Sequence, residues 1–198
     1  MSQKPNRASE RGSAMIEFLL SSLIWLPLLL GTIVFGINLI RAIQVSQLAR
    51  DSGHMYAKGI DFSQNENTPL LARMAANLSI KGAASDPGAI VLSQVTYVTD
   101  KDCDACANLH QYVFTSLYVF GNAAYGVTKL GNPIGYYNQT LTSDEYLTKT
   151  ALRAPNFPDI LAHDQPGQTA FVSEVTVNSQ AISWTDFSNT GSYARSIF

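Results

Sequence analysis

Between Glu17 and Arg41 the chain carries no charged side chain. Residues 18–40, FLLSSLIWLPLLLGTIVFGINLI, form one apolar run. Coiled as a helix at about 1.5 Å per residue, such a run is about 35 Å long, enough to cross a hydrocarbon core of about 30 Å. Its polar members are Ser21, Ser22, Thr32 and Asn38, the last close to the end where water is near. The chain has 198 residues and 46% apolar content, which allows one modest domain besides a membrane helix. A net charge of −2 gives no basic surface for nucleic acid.

Three readings of the run compete. A cleaved secretory signal is disfavoured: the run exceeds the usual apolar core of about 7–15 residues, and no small-x-small site follows it. A plain uncleaved anchor and a processed anchor remain, and Glu17 bears on the choice. A carboxylate at the helix centre in a membrane costs about 2.5–3.5 kcal/mol, less near an end, and such a residue usually has a task. Glu17 stands five residues after Gly12. A cut after Gly12 would make Ser13 a free α-amine, with Ser13 and Glu17 at i and i+4 on one helical face. The helix dipole favours a carboxylate in that first turn. The plainer alternative is a glutamate wetted at headgroup level.

The segment RGSAMIEF, a basic stretch ending in glycine with glutamate at the fifth position beyond it, resembles the processing site of type IV prepilins. The longer stretch over residues 11–60 resembles the TadE-like family, minor pilins or pseudopilins of the tight-adherence pilus system. The matching features are Arg11-Gly12-Ser13-Ala14, Glu17-Phe18, Pro27 among leucines, Phe35-Gly36, and Arg50-Asp51-Ser52-Gly53 leading to Tyr56-Ala57. The chain departs from the family where Ile37-Asn38 follows Gly36 in place of a charged residue. The resemblance implies a cytoplasmic leader 1–12, cleavage by a prepilin peptidase between Gly12 and Ser13, and assembly through Glu17 and Phe18. It also implies a single-pass protein of the inner membrane with its C-terminal domain periplasmic or carried into the pilus. Other pilins and the inner-membrane assembly platform would be its partners. The charges flanking the span tie, so the orientation rests on the resemblance. The alternative function is a bitopic binding or scaffold protein on an uncleaved signal anchor.

Pro27 removes the hydrogen bond to the Leu23 carbonyl and predicts a kink. It either allows local melting during filament packing or reflects the ordinary composition of membrane helices. The N-terminal helix is expected over 13–60, with Ile40, Ile43, Gln47 and Arg50 on one face and with Gly53 and Gly59 marking fraying and an end. Residues 61–88 read as a linker and a short helix, with Thr68 as N-cap, Pro69 at N1, and an end near Ser79.

Residues 89–198 predict a small antiparallel sheet with short helices, giving an α+β, pilin-like fold. Strands are expected at 90–99, 111–120 and 169–178, with a weaker one at 181–185. In 111–120 the alternation places Tyr112, Phe114, Tyr118 and Phe120 on one face. Because both faces are apolar, this strand is expected to be central. Residues 100–109 fit a hairpin loop between the first two strands. The stretch 121–168 needs structure or a task of its own. Thr142 to Glu145 resembles a capping box opening a helix to about Arg153. The tyrosines and asparagines of this insert suit a partner-binding loop, or a surface excursion packed by its own aromatics.

Cys103-Asp104-Ala105-Cys106 lies in the predicted hairpin loop among Asp100, Asp102 and Asp104. Negative neighbours oppose thiolate reactivity, so a structural disulfide is expected rather than a redox centre. The three aspartates match the first ligand spacings of a calcium loop, but Ala105 stands where glycine is required and no glutamate closes it. His54, His110 and His163 fit no nucleophile or metal motif, and no phosphate loop occurs. The sequence predicts no cofactor, no metal and no enzyme; it reads as the substrate of one.

Overall fold

The computed structural model describes residues 7–178 and 191–198. They fall into two compact units that divide between Ile40 and Arg41. One helix, α1 (Arg7–Ala57), contributes residues 7–40 to the first unit and 41–57 to the second. It begins earlier than the expected residue 13. Ala8, Glu10, Arg11, Ala14 and Met15 are all good helix formers, and Gly12 alone, at about 1 kcal/mol, does not break the turn. Gly59, at φ +87°, follows the last turn and stops it.

The second unit is α+β. Its strands are β1 (Gly88–Tyr97), β2 (Tyr112–Gly121), β3 (Gln139–Thr140), β4 (Thr169–Val177) and β5 (Ser192–Ile197). They form one sheet in the order β3-β2-β1-β4-β5, antiparallel throughout. Short helices α2 (Thr68–Met74) and α3 (Ser143–Thr148) each lead into a 3-10 turn, Ala76–Leu78 and Thr150–Leu152. The cap of α2 is Asn67 rather than Thr68, which moves Pro69 one position inward. The capping box of α3 forms as read: the Glu145 carboxylate accepts from the Thr142 N–H at 2.9 Å. The expected strand 181–185 lies outside the described residues.

The central strand is β1, not the 111–120 strand. Nine of the ten β1 residues are buried, because both faces of β1 are covered. The alternation read for β2 also fails halfway along. The register between β1 and β2 shifts between Gln94 and Val95, leaving Thr115 as an extra residue. One inserted residue reverses the parity of everything beyond it. Phe114 therefore packs in one core with Leu117, whereas Phe120 packs in the other.

On the first face of the sheet, α1 and α2 cover Ile90, Leu92, Phe120, Val175 and Val177. The buried stripe of α1 is Val45, Leu48, Ala49, Ser52, Gly53 and Tyr56, at helical i, i+3, i+4 spacing. The partly apolar face of Ile40, Ile43, Gln47 and Arg50 is exposed. Small residues win because they let the helix lie close to the sheet. A Cβ on Gly53 would come within 2.6 Å of the Phe198 ring and 3.1 Å of the Ser173 Cβ. Gly53 is thus a packing residue within the helix, not a fraying point. Beside it the Ser52 hydroxyl donates to the Leu48 carbonyl at 2.6 Å and lies 2.8 Å from the Ser173 hydroxyl.

The insert covers the second face. Leu130, Leu152, Ala154 and Phe157 are buried there against Val95, Phe114, Leu117, Ala170 and Val172, with Tyr136, Tyr137 and Tyr146 packed around them. Those tyrosines serve a core rather than stand free as contact surface.

Candidate processing and assembly site

The apolar run lies in a single helical segment. α1 is long and apolar enough to cross a membrane, with a mean hydropathy of 2.2 in its most apolar window. From Met15 to Ile43 nearly all of its large apolar side chains are exposed; Phe18 is 72% and Trp25 69% accessible. Fully burying one such side chain is worth about 1.5–3 kcal/mol, so a row of them left in water is untenable without an apolar surround. The hydroxyls within the run are turned inward on their own backbone. Ser22 donates to the Leu19 carbonyl at 2.9 Å and Thr32 to the Leu29 carbonyl at 2.8 Å. Such pairing spares a polar group the cost of standing bare in lipid. The helix is assigned without a break through Pro27.

Gly12 and Ser13 lie within the backbone of α1, and Glu17 is exposed one turn further on. In a helix the Ser13 and Glu17 positions share a face. Phe18 follows on the apolar surface.

Elsewhere the chemistry-bearing residues are tied to each other. The Cys103 and Cys106 sulfurs lie within bonding distance. Two residues on, buried Asn108 donates to the carbonyls of Tyr146 and Lys149 at 2.8 and 2.9 Å, while its own oxygen accepts from Arg153 at 2.8 Å. The cysteine loop is thereby docked onto the insert. The three aspartates do not converge. Asp102 accepts from the N–H and hydroxyl of Thr99, and Asp100 faces His110 at 3.3 Å. Among the described residues no group of three acidic, histidine or cysteine side chains is placed to hold a metal.

His163 pairs with Asp159, at 2.6 Å, and its ring stacks on Tyr97 at 4.1 Å. Tyr112 donates to the same Asp159 carboxylate. Burial, and then this hydrogen bond, push the Tyr112 phenol up to about 12 from an ordinary 10.0. A raised tyrosine favours folding while it stays neutral. Its contribution is complete below pH 10.0 and is lost as the pH rises towards about 12. Tyr112→Phe should therefore show a flatter loss of melting temperature between those two pH values than the parent chain does. Equal slopes would remove Tyr112 from that role.

One residue in this unit escaped the sequence reading. Glu174 in β4 is only 1% exposed. Its carboxylate accepts from the Thr128 hydroxyl, from the Lys129 N–H at 3.0 Å and from the Tyr193 hydroxyl at 2.5 Å. The signal was its parity: Ala170, Val172 and Glu174 alternate along one face of β4. An acid in step with inward residues demands partners.

Comparison of the chain with protein-family models, with curated proteins and with solved structures finds no match.

Proposed function

We propose that this chain is a minor pilin or pseudopilin of a tight-adherence type IV pilus, similar to the TadE-like family, and a structural component rather than an enzyme. The observation that carries this reading is the exposed apolar helix of α1 with Gly12, Ser13 and Glu17 at its N-terminal rim. In this reading residues 1–12 face the cytoplasm and a prepilin peptidase cuts between Gly12 and Ser13. The helix is held in the inner membrane before assembly and packs against other pilins afterwards. The α+β unit lies on the outer side, where two cysteines at bonding distance suit an oxidising compartment.

The test is the intact mass of the chain recovered from cells that carry the matching peptidase. The expected product lacks residues 1–12, and Gly12→Ala should abolish the cut. A mature chain that keeps its full length would sink the proposal and leave an uncleaved anchor bearing a scaffold domain.

A further inference from the structure

A cleft of about 450 Å³ opens where the end of α1 meets the β2–β3 edge, and the pilus reading gives it no task. We propose that it binds a neutral sugar ring, a hexopyranose unit of a glycan.

The cleft lies along the bulge. Thr115, Ser116, Leu117 and Tyr118, four successive residues of β2, all line it. Beyond the bulge Ser116 and Tyr118 alternate onto one face, with the extra residue Thr115 next to them, while Leu117 keeps its side chain in the other core. Aromatic surface comes from half-buried Tyr118 and Phe171, with the buried Tyr56 ring behind Phe171, edge to face at 5.5 Å. Polar groups come from Gln94, Ser116 and Gln139. Ser116 Oγ accepts from the Tyr56 hydroxyl at 3.1 Å and so keeps its own proton to donate. The Gln139 amide gives a hydrogen to the Gly135 carbonyl at 2.7 Å, which leaves its oxygen free to accept.

Charge narrows the ligand. Among the described residues no lysine, arginine or histidine lines the cleft, so a phosphate, nucleotide or acidic lipid would find no counter-charge there. The lone carboxylate, Asp61, already accepts from the N–H and hydroxyl of Ser63 and from Gln64. It makes little demand for a cation. A purely hydrocarbon ligand would strand the amides and hydroxyls without partners. A sugar ring satisfies both requirements, because its C–H face lies on an aromatic ring while its hydroxyls exchange hydrogen bonds with amides. This binding is independent of how the N-terminus is processed.

The experiment uses the full chain in lipid nanodiscs, since many detergents carry sugar headgroups. Glucose, galactose, N-acetylglucosamine and their β1,4-linked disaccharides are titrated by saturation-transfer NMR. Saturable binding of at least one is expected. Tyr118→Ala and Gln139→Ala should each weaken it about tenfold, a loss of one stacking or hydrogen-bonding contact. The melting temperature of Gln139→Ala should match the parent, which separates lost contact from lost fold. Three results would overturn the proposal: no saturable binding of any sugar, binding unchanged in both variants, or tighter binding of inorganic phosphate or sialic acid than of the neutral sugars.

Discussion

Replacing Glu174 with alanine is expected to destabilise the α+β unit by about 3–5 kcal/mol, because it orphans several buried donors at about 1–3 kcal/mol each. Three donors converge on this carboxylate: the Thr128 hydroxyl, the Lys129 N–H and the Tyr193 hydroxyl. Alanine would leave all of them facing a void, and each orphaned donor costs about 1–3 kcal/mol. The Lys129 ammonium sits 3.7 Å from the centroid of the Tyr193 ring, over the face of the phenol that bonds the carboxylate. Burial first, and the bond to Glu174 second, hold the Tyr193 phenol well above its ordinary range. Domains are stable by about 5–15 kcal/mol in total, so this one change removes a large share. Urea unfolding of the full chain, followed by near-UV circular dichroism, measures it. Glu174→Gln keeps an acceptor and should lose less than half as much. A loss under about 1 kcal/mol for Glu174→Ala would mean that solvent replaces the carboxylate and that the site is not closed. The damage should also be local. Thr128 and Lys129 belong to the insert and Tyr193 to β5, so cleavage by protease should begin in 121–168.

The insert and the bulge mark where sequence reading stopped. Strands β1, β2 and β4 were legible within about two residues, because β-branched and aromatic residues crowd them and glycine or polar runs bound them. Strand β5 was not: Ser192, Ala194, Arg195 and Ser196 have little intrinsic strand preference, and pairing with β4 makes the strand. The bulge at Thr115 leaves no mark in the alternation, which reads equally well in either parity until the register with β1 is known. The packing face of α1 was not legible for a related reason. Isoleucines at 40 and 43 look like the core side, but the sheet accepts the small stripe that includes Ala49, Ser52 and Gly53. Shape overrode hydrophobicity there. At the N-terminus the order reverses. The uncharged run was plain in the sequence, because lipid places its demands on composition and length rather than on long-range packing.

Glu17→Ala is expected to leave cleavage after Gly12 intact and to reduce pilus-incorporated protein by about tenfold or more, the yield of a lost interaction worth at least about 1.4 kcal/mol per subunit contact. The proposed cut makes Ser13 an α-amine one turn before Glu17. Out of water, that amine and the carboxylate neutralise one another, either within one chain or between neighbours in the filament. Removing the carboxylate strands the amine in an apolar setting. Partition into the bilayer argues the other way, because alanine is cheaper in lipid than a carboxylate. A Glu17→Ala chain should therefore stay anchored at least as firmly as the parent. Failure to assemble could then not be ascribed to loss from the membrane. Immunoblots of the sheared pilus fraction and the membrane fraction separate the two effects: processed protein should accumulate in the membrane and vanish from the pili. Glu17→Asp keeps the charge on a shorter arm and should assemble at an intermediate level. Normal incorporation of Glu17→Ala would refute the amine–carboxylate pairing while leaving the cut after Gly12 standing, since the intact mass reads that step separately.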